Sequence, residues 1–283
     1  LNRCLEEGFL HAGNAGKMNF ALMWANHDWG NIHPKALRSP AEMCRKGCIR
    51  KETFWKAVDY MIGTYFRHPS YLRVRGGLFL SFYQLAGLIE IFGGVEEAAG
   101  ALRETRRRVR AAGLGELHLN TMAWSRRILP AEKLVSDMDE KIYRLGFDSV
   151  TSYVWPHIAE MKDFPATDYA AFRDLSIREM KKIAARYKIP YFPNVTVGWD
   201  PSPRTVQSDS YENVGYPFTP VLAGNTPKEF ETGLRQVREY MDSTDIPKLV
   251  TVNAWNEWTE GSYLEPDTVN GCGYLEAIRR VFG

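Results

Sequence analysis

The chain repeats one pattern: a short apolar run that predicts a β-strand, a tip of aromatic and polar residues, and a stretch with helical periodicity. Strands that alternate with amphipathic helices are typical of parallel βαβ units, so the fold class is predicted to be α/β. The predicted strands occupy residues 19–26, 77–83, 117–124, 149–155, 191–200 and 249–252. The predicted helices occupy residues 51–65, 95–112, 169–187, 227–241 and 273–281.

The residues at the strand ends favour a closed barrel over an open sheet. No glycine-rich phosphate loop follows any predicted strand, which argues against a dinucleotide-binding fold. An open sheet would concentrate functional residues at one switch point, whereas a (β/α)8 TIM barrel carries them on many strand ends. We therefore predict a single barrel catalytic domain over residues 1–283. The strand-end aromatic residues are Trp24, Tyr83, Trp124, Trp155, Trp199 and Trp255.

The strand count falls short of a complete barrel. A TIM barrel has eight strands and the sequence predicts six, the first of them at residues 19–26. Residues 1–12 have the pattern of an amphipathic helix with no strand before it. We therefore expect the first one or two βα units to be missing from the N-terminus of this chain.

Composition narrows the possible partners. The net charge of +2 favours no class of partner, and the arginine-rich run 103–110 lies in a helical pattern typical of a solvated outer face rather than a nucleic-acid site. No stretch is apolar enough to span a membrane and no signal peptide is visible, so the compartment is left open. The cysteines lack the spacing of a zinc site, and free or incidentally paired thiols are expected at Cys4, Cys44, Cys48 and Cys272. Neither a metal nor a cofactor is predicted.

The stretch 249–267 carries the chemistry. A β-branched run gives way at once to carboxamides, indoles and two acids, which is the set of groups that binds a saccharide and exchanges protons with it. If the segment turns helically, Glu257 and Glu260 share a face, with Cβ atoms about 5–6 Å apart. Two such acids cannot both ionise freely, so one pKa rises and that group becomes the general acid. The catalytic candidates are Glu257 and Glu260, and the neighbouring substrate-binding candidates are Asn253, Trp255, Asn256, Trp258 and Glu265.

Further candidates for substrate binding follow the other predicted strands. The long segment 201–226, after the fifth strand, is also expected to be functional, because loops of that length are uncommon in compact domains. These candidates are Trp24, Asn26, Asp28, Trp29, Tyr83, Trp124, Tyr153, Trp155, His157, Trp199, Asp200 and Arg204.

Structural interpretations of the same residues stay open. The indoles can be core residues, and the two glutamates a surface acidic pair near a helix start. Asn26 and Asp28 can form a turn, and His157, like Tyr153, can be a structural hydrogen bonder. Asp200 and Arg204 can form an ion pair that holds the loop, and Glu265 can either order the site or cap the loop.

The stretch 253–261, Asn-Ala-Trp-Asn-Glu-Trp-Thr-Glu-Gly, resembles the closing motif of the WbsX-type proteins, which are similar to glycoside hydrolase family 99. The stretches 263–267, 273–275, 23–29 and 198–204 also resemble motifs of that group. The resemblance implies retaining hydrolysis of α-mannosidic linkages, with Glu257 as the base on the sugar 2-hydroxyl and Glu260 as the acid on the leaving oxygen. Thr259 stands where family 99 often has histidine, so the substrate contacts are expected to differ.

Three functions remain open. The leading one is a glycoside hydrolase that cleaves an α-linked manno- or rhamno-configured polysaccharide or glycan, a substrate class implied by the resemblance. WbsX-type proteins are also labelled glycosyltransferases, so the second is a transferase in polysaccharide biosynthesis. The third is a carbohydrate-binding barrel without catalysis. The expected partner in each case is a carbohydrate, with no nucleic acid and no membrane span.

Overall fold

The computed structural model describes residues 2–31, 33–40, 42–47 and 49–283. The strands found there are β1 (Leu22–Trp24), β2 (Trp29–Gly30), β3 (Met43–Arg45), β4 (Arg73–Val74), β5 (Gly77–Phe82), β6 (Leu117–Met122), β7 (Ser149–Thr151), β8 (Ala166–Asp168), β9 (Tyr191–Phe192), β10 (Asn194–Thr196), β11 (Val221–Ala223), β12 (Thr251–Asn253), β13 (Asn256–Glu257) and β14 (Ser262–Tyr263). The α-helices of the described ranges are α1 (Lys51–Thr64), α2 (Leu85–Phe92), α3 (Val95–Ala111), α4 (Met138–Leu145), α5 (Tyr169–Ala184), α6 (Pro227–Asp242) and α7 (Gly273–Phe282).

The central sheet is parallel and follows the chain order. Strands β1, β5, β6, β7 and β9 pair in that sequence, each parallel to the next. Pro193 interrupts the next strand position because it has no N–H to donate. Beyond it the chain continues as β10, which pairs in parallel with β12. The predicted α/β class with a parallel sheet is therefore confirmed.

Closure of the sheet into a barrel stays a prediction. Among the described residues, β1 pairs with no other strand than β5, and β12 with no other than β10. Three further strand pairs of the described residues stand beside this sheet: β8 with β11 in parallel, and β13 with β14 and β2 with β3 in antiparallel orientation. The first lies within the segments that link the main strands, and the second follows β12 directly.

The helices cover the sheet with one apolar face each, as α3 illustrates. Its buried residues recur every three or four positions, the spacing that places them on one side of a helix. The arginines occupy the opposite side and pair with carboxylates there, with Arg107 Nε 2.6 Å from Glu104 Oε2 and Arg108 Nη1 2.8 Å from Asp59 Oδ1. The arginine run is therefore a solvated, charge-paired face. In the described part of the chain, no helix is both long and apolar enough to cross a membrane.

Several local predictions need correction. Residues 4–11 do not form an α-helix: a π-helical turn at Cys4–Gly8 is followed by a 3₁₀ turn at Phe9–His11, because the backbone of Gly8 leaves the helical region at φ −99° and ψ −82°. Helices α2 and α4 were not predicted, since each has only eight residues and gives little periodic signal. The strand pairs of two or three residues escaped prediction for the same reason.

Candidate functional site

A hairpin after β12 carries the two glutamates. Strands β13 and β14 pair in antiparallel orientation, with Glu257 opposite Ser262, and a 3₁₀ turn at Trp258–Glu260 joins them. Gly261 ends that turn at φ +59°, and a Cβ there would lie 2.8 Å from the Cβ of Asp200. Only glycine fits this position without strain. The helical turn predicted for this segment is thus a single 3₁₀ turn within a hairpin.

Both glutamates line a cavity of about 730 Å³ at the carboxyl ends of the strands. This volume lies within the range of roughly 300–1,000 Å³ that small-molecule sites usually have. Side chains from widely separated parts of the chain meet in its wall. The predicted site residues that line it are Asp28, Trp29, Tyr83, Tyr153, Arg204, Glu257 and Glu260.

Glu260 lies deep in the cavity wall, with 8% of its side chain exposed. Its Oε1 accepts hydrogen bonds from Arg204 Nη1 at 2.6 Å and from the Tyr216 hydroxyl at 2.7 Å. Burial raises the pKa of the Glu260 carboxyl above its usual range, and the opposing effects of the Arg204 guanidinium and the Tyr216 hydroxyl do not cancel it. A carboxyl with a raised pKa keeps its proton at higher pH, as a general acid must.

Arg204 joins the two acids. Its guanidinium donates to Glu260 and, through Nη2, to Glu257, while its Nε donates to Thr259 Oγ1 at 2.8 Å. The arginine comes from the long segment 201–226, so that segment contributes directly to the cavity. The interpretation of Asp200 and Arg204 as an ion pair is wrong, since Asp200 Oδ1 instead accepts from the Ser202 N–H at 3.0 Å.

Two tyrosines and an indole form aromatic parts of the cavity wall. The rings of Tyr83 and Tyr153 meet edge to face, with centroids 5.1 Å apart. Trp29 is half exposed and stacks on His27, while Asp28 accepts from the Gly47 N–H at 2.8 Å. Trp29 therefore has the exposed ring area that a sugar-stacking residue requires.

Four other indoles belong to the core instead of the cavity. Trp155 is fully buried and donates from Nε1 to the Asn194 carbonyl at 3.0 Å. Trp24 stacks on Phe54 with centroids 5.0 Å apart. The strand-end pattern misplaced these side chains because successive residues of a strand point to opposite faces, and the pattern does not tell which face is the cavity. The predicted substrate-binding indoles that pack in the core are Trp24, Trp124, Trp155 and Trp199.

Three predicted polar ligands act as structural hydrogen bonders. Asn26 is buried and both donates to the Gln84 carbonyl and accepts from the Gln84 N–H, each at 2.7 Å. Asn253 Oδ1 accepts from Ser262 Oγ at 2.8 Å and so ties the hairpin to β12. His157 is buried as well and lies outside the cavity wall. Asn26 and Asn253 thus have partners within the protein, while a role of these three residues in substrate binding stays a prediction.

The indoles of the 253–261 motif face outward. Trp255 is 53% exposed, and Trp258 stacks on Tyr263 with ring centroids 3.8 Å apart. Glu265 accepts from Trp258 Nε1 at 2.6 Å and so fixes that outer stack. An antiparallel hairpin sends successive side chains to opposite faces, which explains why Glu257 reaches the cavity and its neighbours do not. The predicted binding residues outside the cavity wall on this hairpin are Asn256, Trp255, Trp258 and Glu265.

Comparison with known families identifies the family of this chain. The family described as "Glycosyltransferase WbsX" matches residues 1–278. The chain belongs to the WbsX family. The predicted resemblance is thereby confirmed.

Two curated relatives of this WbsX chain come from strains of Xanthomonas campestris pv. campestris, and each bears the name "Uncharacterized protein WxcX". Each is 25% identical over 286 residues, which cover 95% of this chain and 35% of the relative. The WbsX chain therefore spans about a third of the length of the curated relatives it matches.

Solved structures with a similar fold include a "Glycoside hydrolase-like protein", with a TM-score of 0.52 and 14% identity over 82% of this chain and 60% of that one. Another is the GH99 endo-alpha-mannosidase from Bacteroides thetaiotaomicron, with a TM-score of 0.50 and 17% identity over 83% of this chain and 61% of that one. At such identities the likeness shows the fold alone. The WbsX chain thus shares its fold with these two proteins.

Sequence reasoning missed two residues of the WbsX site. Tyr216, which donates to Glu260, lies in the segment 201–226, whose length already marked it as functional. Glu132 lines the cavity from the segment after β6. The sequence around it, Pro130-Ala131-Glu132, matches no motif for a binding or catalytic acid.

The cysteines stand apart from this site. Cys4, Cys44 and Cys272 are exposed and free, whereas Cys48 lies outside the described residues, so the expectation for Cys48 is untested. Within the described ranges, no group of three or more His, Cys, Asp or Glu side chains is placed to hold a metal ion.

Proposed function

We propose that this WbsX chain is a retaining glycoside hydrolase that cleaves an α-linked, manno- or rhamno-configured polysaccharide or glycan. The observation that carries the proposal is the environment of Glu260. Its carboxyl is buried, has a raised pKa, and shares a saccharide-sized cavity with a second glutamate. Such a pair of acids in unlike environments is the usual sign of an acid and a base assigned by their surroundings.

The two glutamates have different roles in this proposal. Glu260 gives its proton to the glycosidic oxygen as the bond to the anomeric carbon breaks. Glu257, whose side chain is 35% exposed, takes the proton of the sugar 2-hydroxyl, and that oxygen bonds to the anomeric carbon. Water then opens the resulting three-membered ring at the anomeric carbon, with Glu260 taking the water proton and Glu257 returning its proton to the 2-oxygen. Two inversions give net retention.

The substrate class rests on the resemblance and on the fold. A 2-hydroxyl attacks the anomeric carbon only when it is trans to the leaving group, as in α-linked mannose and rhamnose. The endo-alpha-mannosidase named above has a similar fold, which supports an α-mannosidic type of linkage.

A second candidate function is glycosyl transfer, which the name of the family, "Glycosyltransferase WbsX", favours. A transferase that uses a nucleotide sugar must bind a diphosphate, often through an Asp-x-Asp pair with a metal ion. The sequence contains Asp137-Met138-Asp139 at the start of α4, but neither aspartate lines the cavity that holds the glutamates. Hydrolysis is therefore the better supported proposal.

The test replaces each glutamate by glutamine. In Glu260→Gln the new amide oxygen still accepts from Arg204 and Tyr216, so the missing proton is the main change. Turnover of an α-manno-oligosaccharide should fall by about 10²–10⁴-fold, while an aryl α-mannoside whose leaving group needs no proton should lose less, because only the opening of the strained ring by water still lacks Glu260. Glu257→Gln should lose turnover of both substrates, because the 2-hydroxyl must be deprotonated in either case.

Parallel reactions separate hydrolysis from transfer. The wild-type chain is incubated with the oligosaccharide, with and without a nucleotide sugar. Products shorter than the substrate in both reactions support hydrolysis. Elongation that requires the nucleotide sugar would overturn the proposal in favour of transfer, and near-normal turnover of both substrates by Glu260→Gln would overturn the acid assignment.

A further inference from the structure

Besides Glu260, the cavity wall contains a second buried carboxylate, Glu132, that the proposed reaction does not use. Glu132 lines the cavity, yet its side chain is 0% exposed. A charge in such a place is costly unless it is fully hydrogen-bonded. Its partners therefore indicate what it does.

Four donors surround this carboxylate. Its Oε1 accepts from the Tyr83 hydroxyl at 2.6 Å and lies 3.0 Å from His157 Nε2. Its Oε2 accepts from the backbone N–H groups of Ile128 at 2.7 Å and Leu129 at 2.9 Å. Both oxygens are fully engaged, so Glu132 has no free position from which to exchange a proton with a substrate.

The charge state agrees with this arrangement. Burial acts to raise the pKa of the Glu132 carboxyl, but the hydrogen bonds and charge of His157, with the bonds from Tyr83 and Ile128, outweigh it and hold the pKa below its usual range. Glu132 is therefore a fixed anion and not a second acid.

The four donors come from the ends of three neighbouring strands. Tyr83 directly follows β5, the segment 128–132 follows β6, and His157 follows β7. One carboxylate thus ties these ends together at the cavity. Tyr83 and the segment 129–133 themselves line the same cavity as the glutamate hairpin.

We propose that Glu132 is a positioning residue that fixes Tyr83 and the 128–133 wall, so that a saccharide in the cavity is held against Glu257 and Glu260. This proposal rests on the proposed function. It assigns Glu132 no contact with the reacting atoms, and its effect on the reaction passes through the wall that it orders.

The variants follow from the donor pattern. Glu132→Gln removes the charge: its NH₂ can donate to the Tyr83 hydroxyl and to a neutral His157 Nε2, while its oxygen faces the two backbone N–H groups, whose bonds lose their charge assistance. Tyr83→Phe removes one donor only and serves as the milder variant if Glu132→Gln folds poorly. Glu160→Gln is the matched control, because Glu160 pairs with Arg126, just before the 128–133 wall, but lies at the exposed surface.

The first measurement does not depend on activity. Hydrogen exchange at the amides of Ile128 and Leu129 should become about tenfold faster in Glu132→Gln, since their bonds to the carboxylate are charge-assisted and bonds to a neutral amide are about half as strong. Exchange at these amides should stay unchanged in Glu160→Gln. Unchanged exchange in Glu132→Gln would overturn the positioning proposal.

The second measurement uses folded protein, quantified by circular dichroism. On the α-manno-oligosaccharide, kcat per folded molecule should fall by about 10–100-fold in Glu132→Gln and less in Tyr83→Phe, because a displaced wall misaligns the substrate. A merely structural role would lower the folded fraction and leave kcat per folded molecule unchanged, which would also overturn the proposal. If the wild-type chain turns over no glycan, the proposed function fails, and the exchange measurement still decides whether Glu132 fixes the wall.

Discussion

Arg204 offers the sharpest test of the site's electrostatics. Replacing it by methionine keeps similar volume but removes the cation between Glu257 and Glu260. The arginine side chain is 12% exposed and that of Glu260 is nearly as buried as the core. Removing one partner of such a buried pair costs about 3–5 kcal/mol of the free energy of unfolding. The pair with the more exposed Glu257 adds at most about 1 kcal/mol.

The loss should depend on pH with a definite sign. Well below the ordinary glutamate pKa of 4.5 the Glu260 carboxyl is neutral, so wild-type Arg204 has no anion there to stabilise and the two proteins differ little through this charge. As the pH rises, the wild-type ion pairs form, whereas the variant must keep Glu260 protonated or leave its charge unpaired. Because Arg204 lowers the pKa of Glu260, its removal raises that pKa further. The stability difference should therefore widen between about pH 4 and pH 7, with each pKa unit worth about 1.4 kcal/mol.

Urea denaturation at several pH values from 4 to 7 measures this difference. A gap that widens by about 3 kcal/mol corresponds to a shift in Tm of roughly 6–12 °C for a chain of this size. The control is Arg126→Met, whose pair with Glu160 is 2.9 Å long and exposed, and which should cost no more than about 1 kcal/mol. An equal gap at pH 4 and pH 7 would refute the reasoning, since it would trace the loss to packing and to the bond with Thr259.

Two further predictions test residues that the structure moves from the site to the framework. Trp155→Phe should lower the free energy of unfolding by about 2–4 kcal/mol through a lost bond to Asn194 and a cavity, and urea denaturation measures it. An altered KM in the folded variant would contradict its place in the core. Asn26→Ala should cost about 2–4 kcal/mol, because the N–H and carbonyl of Gln84 both lose a buried partner. A change of less than 0.5 kcal/mol by the same method would show that water replaces the side chain.

The positions of the parallel strands along the chain could be predicted because each strand has a local sequence signal. The buried run Leu78–Phe82 is continuous, and α3 follows with apolar residues at helical spacing. Both signals need only a few neighbouring residues. The two glutamates were found for the same reason, since they stand three residues apart in one short motif.

The partners of the glutamates could not be predicted, because they are distant in sequence. Arg204 lies 53 residues before Glu257, and Tyr216 lies 44 before Glu260. Such pairs depend on how two segments pack, which no local pattern contains. Which indoles line the cavity could not be predicted for another reason. The sequence pattern placed Trp155 at a strand end, but the direction of its side chain is set by the face of the sheet to which it belongs.

The separation of these groups has a consequence for how such a protein could diversify. The proton carriers stand on a hairpin fixed to the sheet, whereas the guanidinium and phenol that adjust the proton affinity of Glu260 come from the segment 201–226. Changes in that one segment could retune the working pH, or fit another sugar, while the hairpin stays in place. Adaptation to a new working pH would then need substitutions only around Arg204 and Tyr216, while Glu257 and Glu260 keep their places on the hairpin.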